Sequence, residues 1–484
     1  MDFSTQPQVI LLCGFVVFLV VLWRILSIHA KSHNKSGYAP PEPAGAWPII
    51  GHLHLLGADK ILHHLFAAMP DKLGPVFLLQ LGIHKTLVVS SWEVARECFT
   101  VHEKALSTRP MTLALKIMGY DGAIFGFLPY GPKWRNLRKL VMVELLSTRR
   151  HDKLKHILDS EVNLFVRGLY ELWKSKGEEG MPVVELTERF GDLTTNIVVR
   201  MVAGKRYFGN REYKNEEARW FQKASKDFLH MMKEHKQKRK LASINESEQD
   251  FMHVMLSIME SDPDAQISDT TIKGTCLSLL LGGYDTTMVT LTWAVSLLLN
   301  HRHVLRKVQD ELEKHVGRDR QVNESDVKNL PYLRAIVKET LRLYPPAPLN
   351  GPHEAIEDCT LAGFHISAGT RLFVNLWKLQ RDPRIWSDPL NFRPDRFIEE
   401  HVAVEMWGQN FELIPFGSGR RACPGTALAL QVLHLTLAQL LQGFELGTVS
   451  DLPIDMTESP GFINPKATPL EVAFRPRLAP SLYA

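Results

Sequence analysis

One cysteine of the five in this chain stands in a setting that can do chemistry. Cys423 lies in the glycine-rich run Pro415-Phe416-Gly417-Ser418-Gly419-Arg420-Arg421-Ala422-Cys423-Pro424-Gly425. An apolar, helix-forming stretch follows from Thr426 to Gln442, with Gly443 as its stop. The cysteine is therefore expected at a helix N-terminus, where unpaired backbone N–H groups and the positive end of the macrodipole favour an anion. Pro424 suits a first helical turn, where a missing N–H costs nothing. Such a setting favours a thiolate, a strong ligand for a soft or borderline metal. An inert, buried thiol is the ordinary fate of a lone cysteine, and it is the expected one for Cys98, Cys276 and Cys359.

Two other groupings stand out. Gly282-Gly283-Tyr284-Asp285-Thr286-Thr287 lies inside the longest apolar helical stretch, Ile272 to Leu299. Two glycines inside a helix each cost about 1 kcal/mol, so something must compensate. Close helix packing is one explanation; a local opening toward a ligand is the other. The adjacent acid and hydroxyl are groups that move protons. Farther on, Glu339-Thr340-Leu341-Arg342 places an acid and a base three residues apart on one helix face.

These groups need a scaffold. Helical periodicity continues at Val304 to His315 and Leu333 to Leu343. Val76 to Gly82 and Thr86 to Ser90 read as two strands around a short turn, Cys359 to Leu361 and Arg371 to Asn375 as another pair, and Leu470 to Phe474 as a late strand. The result is a mainly α fold with small β sheets. A net charge of +4 over 484 residues is too small and dispersed for nucleic-acid binding. Five irregularly spaced cysteines make no disulfide framework.

The N-terminus differs from the rest. Val9 to Trp23 carries no charge, and counted to Ile28 the segment has 20 residues, about one bilayer. Arg24 lies near its end and can snorkel. His29, Lys31, His33 and Lys35 follow instead of a cleavage site, so a retained single transmembrane helix is expected rather than a cleaved signal. Pro40-Pro41-Glu42-Pro43 to Pro48 then makes a stiff extended spacer. The expected organisation is an anchor over 1–35, a proline-rich hinge over 36–51 and a catalytic domain over 52–484.

The cysteine loop matches Phe-x-x-Gly-x-Arg-x-Cys-x-Gly at Phe416, Gly419, Arg421, Cys423 and Gly425. In this the chain resembles the cytochrome P450 superfamily. The resemblance implies that fold and haem b, with Cys423 as the axial iron ligand whose electron donation favours O–O cleavage. By the same resemblance Asp285 and Thr286 deliver protons to dioxygen. Trp134, Arg138, Arg421 and His353 would hold the haem propionates. Glu339 and Arg342 would join Arg396, from Phe392-Arg393-Pro394-Asp395-Arg396-Phe397, in a buried structural network. The proline segment is similar to the hinge of microsomal members. That implies an endoplasmic-reticulum anchor with the catalytic domain in the cytosol.

The resemblance also implies electrons from NADPH through a flavoprotein reductase, with cytochrome b5 as a second donor, and a monomeric enzyme with no nucleic-acid partner. Lys133, Arg135, Arg138, Lys139, Arg149, Arg150 and Lys153 are the expected basic face for the acidic reductase; an ordinary solvated helix is the alternative. Leu113 to Phe127, Leu279 to Asp285, Ala347 to Asn350 and Gly461 to Asn464 are the expected pocket, with Phe125, Phe127, Leu349 and Phe462 as its wall. Pro43 to Leu53, Leu341 to Leu349 and Arg477 to Pro480 resemble one plant group, which includes nicotine N-demethylases, flavone hydroxylases, coumarin hydroxylases and benzylisoquinoline-alkaloid hydroxylases. The resemblance implies a monooxygenase acting on a small lipophilic plant metabolite, a flavonoid, alkaloid, coumarin or terpenoid. An oxygen-independent haem-thiolate isomerase or dehydratase is the rival, set against an intact acid–threonine pair.

One departure matters. Asn215 to Leu241 contains no Gly or Pro, and it reads as one helix where the family has a helical hairpin roofing its pocket. Several turns are missing near 231–233. A haem-binding but catalytically impaired chain is therefore a further alternative.

Overall fold

The computed structural model describes residues 11–12, 14–22, 38–57, 59–120, 123–177, 180–208, 234–237, 249–261 and 267–483. The expected single helix at 215–241 lies outside them except for 234–237, which are helical. Of the expected anchor, 11–12 and 14–22 are helical and the rest lies outside. Among the described residues no helix is long and apolar enough to cross a membrane.

In chain order the elements used below are helix α1 (Leu62–Ala68), strands β1 (Val76–Leu81) and β2 (His84–Val89), and helices α2 (Trp92–Phe99), α3 (Leu113–Met118), α4 (Pro132–Leu140) and α5 (Thr148–Ser175). Strand β3 (Val183–Glu185) leads into α6 (Leu186–Ala203), followed by α7 (Phe251–Ser261), α8 (Asp269–Asn300), α9 (Arg302–His315) and α10 (Pro331–Leu343). Then come β4 (His353–Glu354), β5 (Cys359–Leu361), β6 (Phe364–Ile366), β7 (Arg371–Val374), α11 (Thr426–Gly443), β8 (Phe444–Gly447) and β9 (Glu471–Pro476).

Local chemistry sets several boundaries. The Ser268 side chain caps α8 by accepting from the Thr271 N–H, and Ser91 caps α2 by accepting from Val94. Gly204 ends α6 in the left-handed conformation, φ +63°. Helix α9 buries Val304, Leu305, Val308 and Leu312, one stripe of an otherwise charged helix. Helix α8 is apolar on all sides because it is surrounded: α6 and α7 pack on it, as do α10 and α11.

Strands β1 and β2 form the expected antiparallel hairpin, Val76 opposite Val89. The expected pairing of the 359–361 and 371–375 strands does not occur. Strand β5 pairs with its sequence neighbour β6, and β7 pairs in parallel with β2, giving the order β1-β2-β7-β4. A third sheet has the order β3-β9-β8. The proline segment is no free spacer: the Leu78 N–H donates to the Pro41 carbonyl, and Tyr38 stacks on Phe364 with centroids 5.5 Å apart.

Candidate functional site

The cysteine loop folds over itself. Gly417 and Gly419 take φ +69° and +66°, which disfavours side chains, and a Cβ on Gly419 would come within 2.9 Å of the Phe99 carbonyl oxygen. The Cys423 N–H donates to the Phe416 carbonyl at 2.8 Å, which closes the loop. Helix α11 starts at Thr426 with Gly425 as N-cap, so Pro424 lies before the helix rather than in its first turn. Burial lifts the Cys423 thiol above its ordinary range, against a hydrogen bond from the Gly425 N–H, the charge of Arg138 and the Thr426 hydroxyl. The side chain nevertheless opens onto accessible space. Both hold if that space is enclosed by protein, and a sulfur-binding metal there would displace the proton outright.

Arginines converge beside the thiol. Arg421 donates to the carbonyls of Ser107 and Leu128, both at 2.7 Å, and lies 4.1 Å from the Trp134 ring. Trp134 and Arg138 share one face of α4, and Trp134 stacks on Phe125. Arg109 donates to the carbonyls of Gly351 at 2.8 Å and Pro352 at 2.6 Å. Its Nε is buried without a partner. His353 is buried, with Nδ1 2.8 Å from the Leu106 carbonyl oxygen; burial, with Arg109 and Arg421 nearby, keeps it neutral. Burial pulls Arg421 down to about 9, assisted by Arg109 and Arg138, and Arg109 down to about 10. Guanidinium groups stay protonated, so these shifts express the cost of crowding buried cations. Among the described residues no carboxylate lies within ion-pair distance of Arg109, Arg138 or Arg421. Arg109 was absent from the sequence expectations: its only signal is an isolated Arg-Pro step, and its company comes from remote segments.

The two glycines of α8 do different jobs. The helix is continuous through them. A Cβ on Gly283 would come within 2.9 Å of Val198 Cγ2, so Gly283 admits α6. Gly282 has open space there, and it and Leu281, 37% exposed, form an exposed step in the middle of α8. The Thr286 hydroxyl donates to the Gly282 carbonyl at 2.6 Å. The Gly126 N–H donates to Ser278 Oγ at 3.4 Å, so α8 is tied to the turn carrying Phe125 and Phe127.

The expected network is complete. Arg342 grips Glu339 with two hydrogen bonds, of 2.7 and 2.8 Å, and Arg396 Nε donates to the same carboxylate at 3.1 Å. All three side chains are fully buried. The remaining guanidinium donors meet the carbonyls of Gln380, Pro389, Asn391, Ser387 and Asp388. Trp386 lies against both cations.

Some expectations are corrected. Arg150 is buried, donating to the carbonyls of Gln249 and Asp250, so it takes no part in a basic face. Arg138 points inward, whereas Lys133, Arg135, Lys139 and Arg149 are exposed. Phe125 belongs to the core beside Trp134. Phe127 and Phe462 do meet, with centroids 6.4 Å apart, and Leu349 packs against the cluster of Phe66, Phe77, Leu79 and Val88.

The family profile described as "Cytochrome P450" matches residues 40–232 and 212–470. A strychnine-10-hydroxylase of Strychnos nux-vomica is 50% identical, over 97% of this chain and 97% of its own. A xanthotoxin 5-hydroxylase of Arabidopsis thaliana is 47% identical, over 97% and 98%. A zebra fish cytochrome P450 structure with abiraterone superposes with a TM-score of 0.74 at 26% identity, over 86% of this chain and 99% of that one.

Proposed function

The chain belongs to the cytochrome P450 family and is a haem-binding monooxygenase, and from that footing we propose that it hydroxylates a small lipophilic plant secondary metabolite of the alkaloid, coumarin or flavonoid class. The observation that carries this reading is the cysteine loop set beside a cluster of cations that lacks its own acid.

The residues suit haem. Cys423 offers the sulfur, and the Trp134 indole N–H, the Arg138 guanidinium and Arg109 Nε donate to no described residue. Two haem propionates would supply the missing negative charge. Bound haem would supply dioxygen activation, helped by electron donation from the thiolate. The protein does the rest. Cys423 would ligate the iron, and Arg109, Arg138, Arg421 and Trp134 would hold the propionates. His353, neutral and buried among them, completes the seat. Thr286 Oγ1, hydrogen-bonded to the Gly282 carbonyl, keeps lone pairs free to accept; turning that bond away lets Oγ1 donate, with Asp285 relaying protons to it. Phe127 and Phe462 exclude water and orient an aromatic substrate.

The same proposal includes NADPH–cytochrome P450 reductase as electron donor, with cytochrome b5 as an alternative, meeting Lys133, Arg135, Lys139 and Arg149. It includes a monomer whose 1–35 segment anchors it in the endoplasmic reticulum, with 36–51 as hinge and 52–484 facing the cytosol. The test is twofold. The reduced protein with carbon monoxide should give a strongly red-shifted Soret band that Cys423→Ser removes. With purified reductase it should then oxidise members of an alkaloid, coumarin and flavonoid panel. A spectrum unaltered by Cys423→Ser sinks the reading.

A second reading, a haem-binding but impaired enzyme, draws support from the alignments. Of the 511 positions aligned with the strychnine hydroxylase, 97% of 484 residues fill about 470, so about 40 face gaps in this chain. The family profile also breaks and restarts within 212–232. An open pocket admits water and wastes reducing equivalents. NADPH consumption yielding hydrogen peroxide without product, despite a normal carbon monoxide spectrum, selects this reading.

A further inference from the structure

His63 and His64 are neighbours in α1, and Glu458 approaches them from the segment between β8 and β9. His63 Nε2 lies 2.5 Å and His64 Nε2 3.3 Å from Glu458 Oε2. One donor atom from each residue lies within 4.8 Å of the other two. His63 and Glu458 are buried, whereas the His64 side chain is 41% exposed and leaves a route from solvent. His64 Nε2 is itself buried against the carboxylate with no hydrogen-bond geometry, so a basic nitrogen points into the cluster unused.

The surroundings hold this arrangement. Trp377 Nε1 donates to Glu458 Oε1 at 3.4 Å, and its ring lies against the His64 ring with centroids 4.5 Å apart. Asn375 Nδ2 donates to the His63 carbonyl at 2.9 Å. Two imidazoles and one carboxylate, partly shielded and reachable from one side, are the donor set of borderline divalent cations. Two N–H groups crowding one oxygen is the poorer arrangement for the same three side chains, since only one of them bonds it well.

We propose that His63, His64 and Glu458 bind a divalent transition-metal ion, Zn2+ being the simplest, with water completing its shell. The ion would pin α1 to the segment that carries Phe462, a pocket residue, and would thereby stiffen one wall of the substrate site. The inference needs nothing from the haem reaction, so it stands or falls separately from it.

The experiment uses the full-length haem-loaded protein, stripped with a chelator and titrated with zinc chloride by calorimetry, with metal content read after dialysis. His235, Asp250 and His253 form another cluster of suitable donors, so the difference between variants is the readout. His64→Phe keeps a ring against Trp377 and removes the nitrogen. It should bind one zinc equivalent fewer than the wild type while its carbon monoxide spectrum is unchanged. Glu458→Gln should lose the same equivalent. Equal zinc content and equal affinity in wild type and His64→Phe overturn the proposal.

Discussion

Arg342 and Arg396 are buried with Glu339 between them, whereas Arg109, Arg138 and Arg421 converge without any described carboxylate. In the first group almost every donor has an acceptor within the chain. A buried charge left unpaired is costly, and the protein has removed that cost locally. In the second group backbone carbonyls satisfy part of each guanidinium and several donors remain over. The same residue type thus serves two ends. One cluster is finished by folding, and the other keeps donors that would suit the anionic ligand proposed for it.

The largest expected effect comes from opening the closed cluster. Glu339→Gln leaves two fully buried cations facing each other and should cost about 3–5 kcal/mol, read as a lower denaturation midpoint with and without haem. An effect seen only in the haem-loaded protein would break the contrast. Next come the open cations. Arg421→Leu and Arg138→Leu should each weaken haem retention by about 1.5–3 kcal/mol, the worth of a charge-assisted hydrogen bond, measured by haem transfer to an acceptor protein. The haem-free protein should not lose stability to the same extent, because crowded positive charge has been relieved; equal losses in both forms would make this cluster structural too.

A smaller effect separates the paired glycines. Gly283→Ala pushes a methyl into Val198 and should cost about 1–3 kcal/mol as overpacking, whereas Gly282→Ala meets no neighbour and should leave the melting midpoint within about 1 kcal/mol. The smallest concerns exposed charge. Lys133→Glu with Lys139→Glu should alter neither stability nor haem content and should slow reduction by the reductase a few-fold at low salt. Loss of haem in that variant would mean the distinction between inner and outer cations is drawn in the wrong place.

Much of the site was legible because it is local. Five positions within one short loop define the cysteine cradle, and Glu339 and Arg342 sit one turn apart. Arg396 was readable only through resemblance, and it arrived as expected. What could not be read is convergence. Arg109 joins Arg421 only when segments near 109, 352 and 421 meet. Strand pairing failed for the same reason: period-2 patterning marks β5 and β7 as strands but does not say that β6 takes one and β2 the other. Arg150 misled because a basic run on a helix looks alike whether a given turn faces water or Gln249.

The pair of hydrogen bonds from Arg421 to the Ser107 and Leu128 carbonyls has a consequence for biosynthesis. Those two carbonyls are made early, and the arginine that gathers them is residue 421 of 484. With haem seated as proposed, a nascent chain on the ribosome has no finished porphyrin berth until translation is almost over. Pigment capture must come late, after the C-terminal segment has emerged, and truncated polypeptides should leave the ribosome colourless.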